Sequence, residues 1–517
     1  RFRLVEVFMM QERTKNPRVL IVTPEVTYLP QGMGNIANYF CAKAGGLADV
    51  SASLISKLFA LGADVHVAMP DYRGIFNSNI GPLGEIYERE LATYRKYLPE
   101  ERLHLAEDRA FYYVHSVYSN VPAENLKIAL AFQREVINNI LMRVKPDLIH
   151  CNDWMTGLIP GYSRRISIPC LFTIHNIHTV KALLSIIEDR GIDAAGFWQN
   201  LYYDRMAGSY EETRDSNLVD FLVSGVFGAH FVNTVSPTFL DEIVRGKHDF
   251  ISPALRQELI NKVGAGVAEG ILNAPDPSYD PARDPDVYRT YTAADHFEKK
   301  RLNKRMLQQR LGLIADEDAP VFFWPSRLDP VQKGCQLLAD ILYRVVAKYW
   351  GQNLQVVFVS GGVFKQHFDS IVDFHGLEKR VAVYDFNESL ARKAYAAADF
   401  ILMPSSFEPC GLTQMIAPRY GALPVAHNTG GIHDTVWPMD VRENTGNGFL
   451  FDVFDANGLF WAIDQAMAFY NLAPEGKIPQ IARVMKESAR WFNHENTARQ
   501  YIELYERMLQ RPLISNT

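Results

Sequence analysis

Cationic excess is missing from this chain: 53 Lys and Arg stand against 59 Asp and Glu, a formal net charge of −6. No broad basic surface follows, so a nucleic-acid polyanion is not an expected partner, and any phosphate must be held locally. Cysteine is scarce. The five, Cys41, Cys151, Cys170, Cys335 and Cys410, are odd in number and show no CxxC spacing, which argues against a disulfide framework and for a reduced, cytoplasmic protein. Long apolar runs are lacking too. The nearest, Phe221 to His230, falls well short of the roughly 20 residues that cross a bilayer. The leader Arg1 to Pro17 is polar, and its FRLVEVFMM stretch is interrupted by Glu6, so no signal-peptide core is expected. HExxH, Cys/His clusters and an EF-hand loop are absent, which leaves no zinc or calcium motif. Asp284-Pro285-Asp286 is a two-carboxylate pattern of the kind that recurs by chance in an Asp-rich loop, and neither a metal nor another cofactor is expected.

What is present is length, core material and alternation. At 517 residues with 48% hydrophobic composition, the chain can fill two or three domain cores. In the first half RVLIVT, DVHVAM, DLIHC, CLFTIH and HFVNTVS are strand candidates with helical segments between several of them. The series restarts with Val321 to Trp324, QVVFVS, VAVYDF, FILMP and LPVAH. Such alternation predicts α/β architecture with two doubly wound, Rossmann-like domains facing each other across a cleft. The Pro- and Asp-rich ILNAPDPSYDPARDPDVY between the halves suits a linker. Residues 1–280 and 281–490 are thus expected to form the two domains.

The stretch Pro404 to Val436 carries the most chemistry. The run Phe400 to Met403 reads as a buried strand, Pro404 to Gly411 as a loop at its carboxyl end, and Leu412 to Tyr420 as a helix stopped by Gly421. Open α/β sheets bind ligands at such loops. Gly411 and Thr413 then fall in a first turn whose unpaired N–H groups attract anions, with the Thr413 hydroxyl as a further donor. Thr429-Gly430-Gly431 repeats the glycine-bearing entry after Leu423 to Ala426. Near the other end, Lys43-Ala44-Gly45-Gly46-Leu47-Ala48-Asp49 opens an amphipathic helix, apolar at Leu47, Val50, Leu54, Ile55, Leu58 and Leu61, that Gly62 stops. Glycines that merely permit turns give either segment equally well, since neither is GxGxxG or GxxxxGK[ST].

Together these segments resemble bacterial glycogen synthases and plant starch synthases. KAGGLADV, NDWMTGL, FTIHN, NTVSP, ILNAPD, SRLDPVQKG, EPCGLTQM and TGGIHDTV occur in the family's order over nearly the whole chain. The resemblance implies the glycosyltransferase-B architecture, in which the last helix, here residues 491–517, crosses back to the first domain. It implies retaining transfer of glucose from ADP-glucose to the non-reducing end of an α-1,4-glucan. Arg327 and Lys333 resemble the family's diphosphate-binding pair, and cations there offset charge on the departing phosphate. Glu408 corresponds to the carboxylate beside the donor sugar, although an acidic group at this position can also cap a helix. His175 resembles the histidine close to the reacting sugar; a satisfied interior histidine is the plain alternative. Lys43, Gly45, Gly46 and Asp49 would reach the donor from the first domain, as would Gly411, Leu412 and Thr413 from the second. Phe386 sits where the family stacks an aromatic on the base, and Asp153 and Asn176 are candidates for sugar recognition.

Some positions depart from the family. Ile416 stands eight residues after Glu408, where related transferases often carry a second Glu, so no carboxylate pair for double displacement is assigned. QGMGNIANYF lengthens the segment between Glu25 and Lys43, SRLDPVQKG has one residue more between its Arg and Lys than SRLxxQKG, NAPD replaces NGID, and IHTVK replaces an aromatic-Gln-Gly after FTIHN. The donor side therefore matches better than the acceptor side. A transferase with another donor or a non-polymeric acceptor remains an alternative, as does a catalytically silent glucan- or nucleotide-binding protein.

Overall fold

The structure is a computed structural model that describes residues 16–30, 33, 41–80 and 102–515. The leader apart from its last two residues, and QGMGNIANYF apart from Met33, lie outside them. The chain forms two compact units. The first takes the described residues up to Val235, then Leu240–Ile271 and the residues from His494 on; the second takes Ser236–Phe239 and Leu272–Asn493.

In the first unit the strands are β1 (Arg18–Val22), β2 (Asp64–Pro70), β3 (Leu103–Ala106), β4 (Leu148–Asn152), β5 (Cys170–Ile174), the small antiparallel pair β6 (Lys181–Leu183) and β7 (Leu218–Asp220), β8 (Phe231–Thr234) and β9 (Ala268–Gly270). Seven of them form one parallel sheet in the order β3-β2-β1-β4-β5-β8-β9. The second unit holds β10 (Val321–Trp324), β11 (Gln355–Val359), β12 (Val381–Tyr384), β13 (Phe400–Met403), β14 (Leu423–His427) and β15 (Phe449–Phe451), parallel in the order β12-β11-β10-β13-β14-β15. The order reverses between β1 and β4 and again between β10 and β13. At such switch points the loops leaving the carboxyl ends diverge and open a crevice.

Alternation within β10 shows why that strand is apolar throughout. Phe322 and Trp324 enter the core on one side of the sheet, with Phe358, Phe400 and Val425. Val321 and Phe323 enter the other, with Val357, Ile401 and Ala426. A parallel sheet covered on both faces has no solvent side on which a polar residue can alternate.

The helix after β13 is shorter than expected, Thr413–Arg419: Leu412 is its N-cap, and Gly411, left-handed at φ +71°, stands before it outside the helix. Gly411 thus lies in the loop, not in the first turn. The Pro- and Asp-rich segment does not stand as a spacer: Ala274, Asp284 and Val287 are buried against the second unit. Asp284 accepts from Arg392 Nη1 at 3.1 Å and from the Tyr420 hydroxyl, while Asp286 accepts from the Ser389 hydroxyl. The carboxylates of Asp284-Pro285-Asp286 are therefore committed to packing.

The final helix, His494–Leu509, buries Ala498, Tyr501, Leu504 and Tyr505 in the first unit. Tyr501 accepts from Asn233 Nδ2 at 3.0 Å, and the Tyr505 hydroxyl lies 2.7 Å from His150 Nδ1. His150 Nε2 lies 2.6 Å from the Thr173 hydroxyl. Burial, with His175 nearby, pushes the His150 pKa down to about 3, and burial also brings His104 to about 3. The unfolded chain, with histidines near the ordinary value of about 6.5, takes up protons that the native state refuses. The stability contributed by each neutral ring is complete above that value and is lost as pH falls from about 6.5 toward about 3, at up to about 1.4 kcal/mol per pH unit. Urea midpoints are expected to fall from pH 7 to pH 5, and His150→Phe should flatten part of that slope; an unchanged slope would mean that His150 is not held neutral.

Candidate active site

At the second switch point the loops after β10 and β13 are zipped together. Asp329 Oδ1 accepts from Val331 N at 2.9 Å and Gln332 N at 3.1 Å, closing a turn that absorbs the extra residue of SRLDPVQKG. Ser406 N donates to Gln332 O at 2.8 Å, and the Ser406 hydroxyl to Val331 O at 3.1 Å. Gly334 follows at φ +67°, where an added Cβ would stand 1.9 Å from the Pro404 carbonyl oxygen. The result is a defined place for Lys333. Its Nζ donates to Glu408 Oε2 at 2.6 Å, and both side chains are largely buried, 12% and 8% exposed. Ser405 donates its hydroxyl to the same oxygen at 3.1 Å. Glu408 Oε1 has no hydrogen bond among the described residues.

Helix capping is not the role of Glu408, because the helix Thr413–Arg419 has no side-chain cap. The Glu408 carbonyl accepts instead from Gly431 N at 2.9 Å, which ties the loop to the TGGIHDTV segment. Arg327 is exposed and makes no ion pair among the described residues. Phe386 is 64% exposed in the loop after β12. The Thr413 hydroxyl points at Met403 Sδ, 3.0 Å away, so in this state it is not a free donor. Gly411 and Leu412 are half-buried beside it, and Ile416 is buried in the core, which leaves no carboxylate at that position. Cys410 is buried, and its thiol pKa is pushed up to about 12 by that burial, so it is no nucleophile.

In the first unit the loops after β1, β4 and β5 gather the other candidates. Glu25, missed in the sequence, organises the KAGGL segment: its Oε2 accepts from Ala44 N at 2.6 Å and Gly45 N at 3.0 Å, and Oε1 from the Tyr118 hydroxyl at 3.3 Å. Burial raises its pKa against those hydrogen bonds. Asp49 does not face outward alone. It pairs with exposed Lys43 at 3.0 Å and accepts from the Thr27 hydroxyl at 2.6 Å. Gly46 begins the helix Gly46–Ala60, with Gly45 extended before it.

Asp153 is buried at φ +58°, a strained position for a residue with a side chain. Its carboxylate accepts from His175 N at 2.7 Å and from Asn176 Nδ2 at 3.0 Å. Asp153 therefore shapes the turn, and burial raises its pKa to about 7. His175 Nε2 lies 2.9 Å from Asn152 Oδ1. Asn152 Nδ2 donates to Val22 O at 3.2 Å, which orients the amide so that its oxygen faces the ring. The imidazole is accordingly protonated on Nε2, and Nδ1 keeps its lone pair. Burial holds the His175 pKa down to about 3, so this neutral form persists throughout the physiological range. Asn152, the last residue of β4, was also missed; a polar residue closing a buried strand was its signal.

Residues 18–256 match the starch synthase catalytic domain, and residues 319–468 the group 1 glycosyl transferases. A glycogen synthase of Bacillus licheniformis is 33% identical over 497 residues, covering 90% of this chain and 96% of the relative. The chain belongs to the glycogen and starch synthase family. A Geobacillus thermodenitrificans glycogen synthase is 30% identical, with 91% and 96% covered. The catalytic domain of starch synthase IV from Arabidopsis thaliana, solved bound to ADP and acarbose, superimposes with a TM-score of 0.75 at 26% identity, over 96% of this chain and all of that one. The protein is thus a glycosyltransferase of the glycogen and starch synthase type with the glycosyltransferase-B fold. None of its described helices is long and apolar enough to cross a membrane.

Proposed function

We propose that the enzyme moves glucose from ADP-glucose to the non-reducing end of an α-1,4-glucan, with retention, in the cytoplasm. The similarity to glycogen synthases, and to a starch synthase that holds ADP and acarbose, supports both substrates. The observation that carries the reading is the buried Lys333–Glu408 pair at the β10/β13 switch point.

Cleaving the bond from glucose to a nucleotide diphosphate builds negative charge on phosphate and positive charge on the anomeric carbon, and groups already fixed in place stabilise both without reorganising. Lys333 has spent one of its three N–H donors on Glu408 and keeps two for phosphate oxygen. Exposed Arg327 adds a second, forked cation. Glu408, oriented by Lys333 and Ser405, would hold sugar hydroxyls and offset oxocarbenium charge. With Ile416 in the second carboxylate's place, the acceptor proton is assigned to the departing phosphate rather than to a side-chain base. In this reading Phe386 stacks on the base, and Gly411, Leu412 and Thr413 hold the donor with Lys43, Gly45 and Gly46, while Asp49 positions Lys43. His175 offers its bare Nδ1 as an acceptor to a sugar hydroxyl, held in place by Asn152 and Asp153; Asn176 adds polar contacts to the sugar.

The test is nucleotide diphosphate release from ADP-glucose and UDP-glucose, with and without glycogen. Glycogen-dependent ADP release is expected. Release that requires a small acceptor, or that favours UDP-glucose, would replace this reading with that of a related transferase.

A further inference from the structure

The amino-terminal ends of β13 and β14, opposite the loops of the active site, border a pocket of about 170 Å³ inside the second unit, lined by the helix His296–Leu311 and the segment Tyr470 to Ile481. One water occupies roughly 10–15 Å³, so the pocket has space for a solute of about ten non-hydrogen atoms. Its walls combine apolar surface from Phe297, Phe469 and Ile481 with four cations, Lys300, Arg301, Lys304 and Lys477, and three acids, Glu317, Asp318 and Asp399.

Internal contacts use up part of that charge. Lys300 Nζ donates to the carbonyls of Ala396, Ala398 and Tyr420 at 2.8 to 3.1 Å. Lys304 is spent on Asp399, Ala319 O and the Tyr470 hydroxyl. Lys477 makes one hydrogen bond, to Tyr470 O at 2.6 Å, and its ammonium lies 4.5 Å from the centre of the Tyr470 ring, which leaves two N–H donors without a hydrogen-bond acceptor among the described residues. Arg301 gives Nη2 to Glu317 and Asp318 and retains further N–H groups.

His296 supplies the observation that calls for a ligand. The side chain is 2% exposed and lines the pocket. Its Nδ1 lies 3.0 Å from the Ala293 carbonyl, which can only accept, so Nδ1 carries the proton and Nε2 is a bare acceptor. That Nε2 is buried without a hydrogen-bond partner, a condition that costs about 1–3 kcal/mol unless a donor arrives.

We infer that this pocket binds a small hydroxylated anion, whose hydroxyl donates to His296 Nε2 and whose carboxylate or phosphate takes the free donors of Lys477 and Arg301. Both anion types share the required chemistry; a neutral polyol lacks the charge that Lys477 and Arg301 would neutralise. Such a ligand would sit under the two strands whose far ends carry Glu408 and Gly431, and so stiffen the unit that holds the site.

Isothermal titration of the full chain with glycerol 3-phosphate, D-glycerate and uncharged glycerol tests the inference. One-to-one binding of at least one anion is expected, with none by glycerol. Lys477→Met is expected to weaken it about tenfold, the size of losing one charge-assisted hydrogen bond. His296→Gln, which keeps the site polar, should weaken it less, and ADP affinity should be unchanged in both. Phosphate binding without glycerate binding identifies a phosphorylated polyol as the ligand class, and the reverse identifies a hydroxy acid. Absence of binding by either anion, or binding that Lys477→Met leaves intact in a folded variant, overturns the assignment.

Discussion

Glu408→Ala is expected to lower kcat by about 10²- to 10³-fold, the range seen when one fixed group that stabilises transition-state charge is removed, while leaving donor affinity nearly intact. The asymmetry follows from the geometry. In the resting enzyme Glu408 Oε2 holds Lys333 Nζ at 2.6 Å. Removing the carboxylate frees a cation that a bound diphosphate can take, so what donor binding loses at the sugar it regains at phosphate. Lys333→Ala has no such compensation and should weaken donor binding together with turnover. Steady-state kinetics with donor affinities measured separately distinguish the two; equal losses of binding and turnover in Glu408→Ala would remove its transition-state role. Breaking a buried pair by deleting one partner can itself cost about 3–5 kcal/mol of stability. Glu408→Gln, which keeps an oxygen for Ser405 and Lys333, therefore accompanies it: low kcat in a stable Gln variant assigns the effect to charge.

Much of the scaffold can be read from the chain because a parallel sheet buried on both faces leaves a plain signature. Val321 to Trp324, Phe400 to Met403 and Leu423 to Ala426 are unbroken apolar runs, and all three lie in strands. Short edge or near-edge strands carry less signal. Leu103–Ala106, Ala268–Gly270 and Phe449–Phe451 went unread, since three or four residues with Glu269 or His104 among them do not stand out from loop sequence. Segments with chemistry were visible as groups, but not the contacts within them. EPCGLTQM and SRLDPVQKG announce Glu408 and Lys333 separately, whereas their ion pair depends on a turn around Asp329 and a close passage at Gly334. Glu25 and Asn152 were hidden for a related reason. Each acts on a partner about 20 residues away, Ala44 and His175, and only the folded loops bring the pairs together.

Gly431 separates the two meanings that a glycine in such a motif can have. Its φ does not lie in the left-handed region, so the turn by itself does not require glycine. The requirement comes from proximity: a Cβ there would stand 2.0 Å from the Cys410 carbonyl oxygen and 2.5 Å from Cys410 Cα, backbone atoms with no rotamer by which to escape. Gly431 N also donates to Glu408 O. A methyl group therefore has to drive the helix Gly430–Thr435 away from the loop that carries Glu408. Gly431→Ala is expected to cost about 3 kcal/mol, the upper end of ordinary overpacking, and to reduce activity at least as much as Lys333→Ala, because the displaced loop also carries Lys333's partner. Gly351→Ala is the matched control, as a Cβ there meets nothing within 4 Å and its φ is ordinary, so urea midpoints should fall for the first variant and hold or rise for the second. If Gly431→Ala is as stable and active as the parent, the loop and helix must separate easily, and the site would then be assembled by the donor rather than held ready for it.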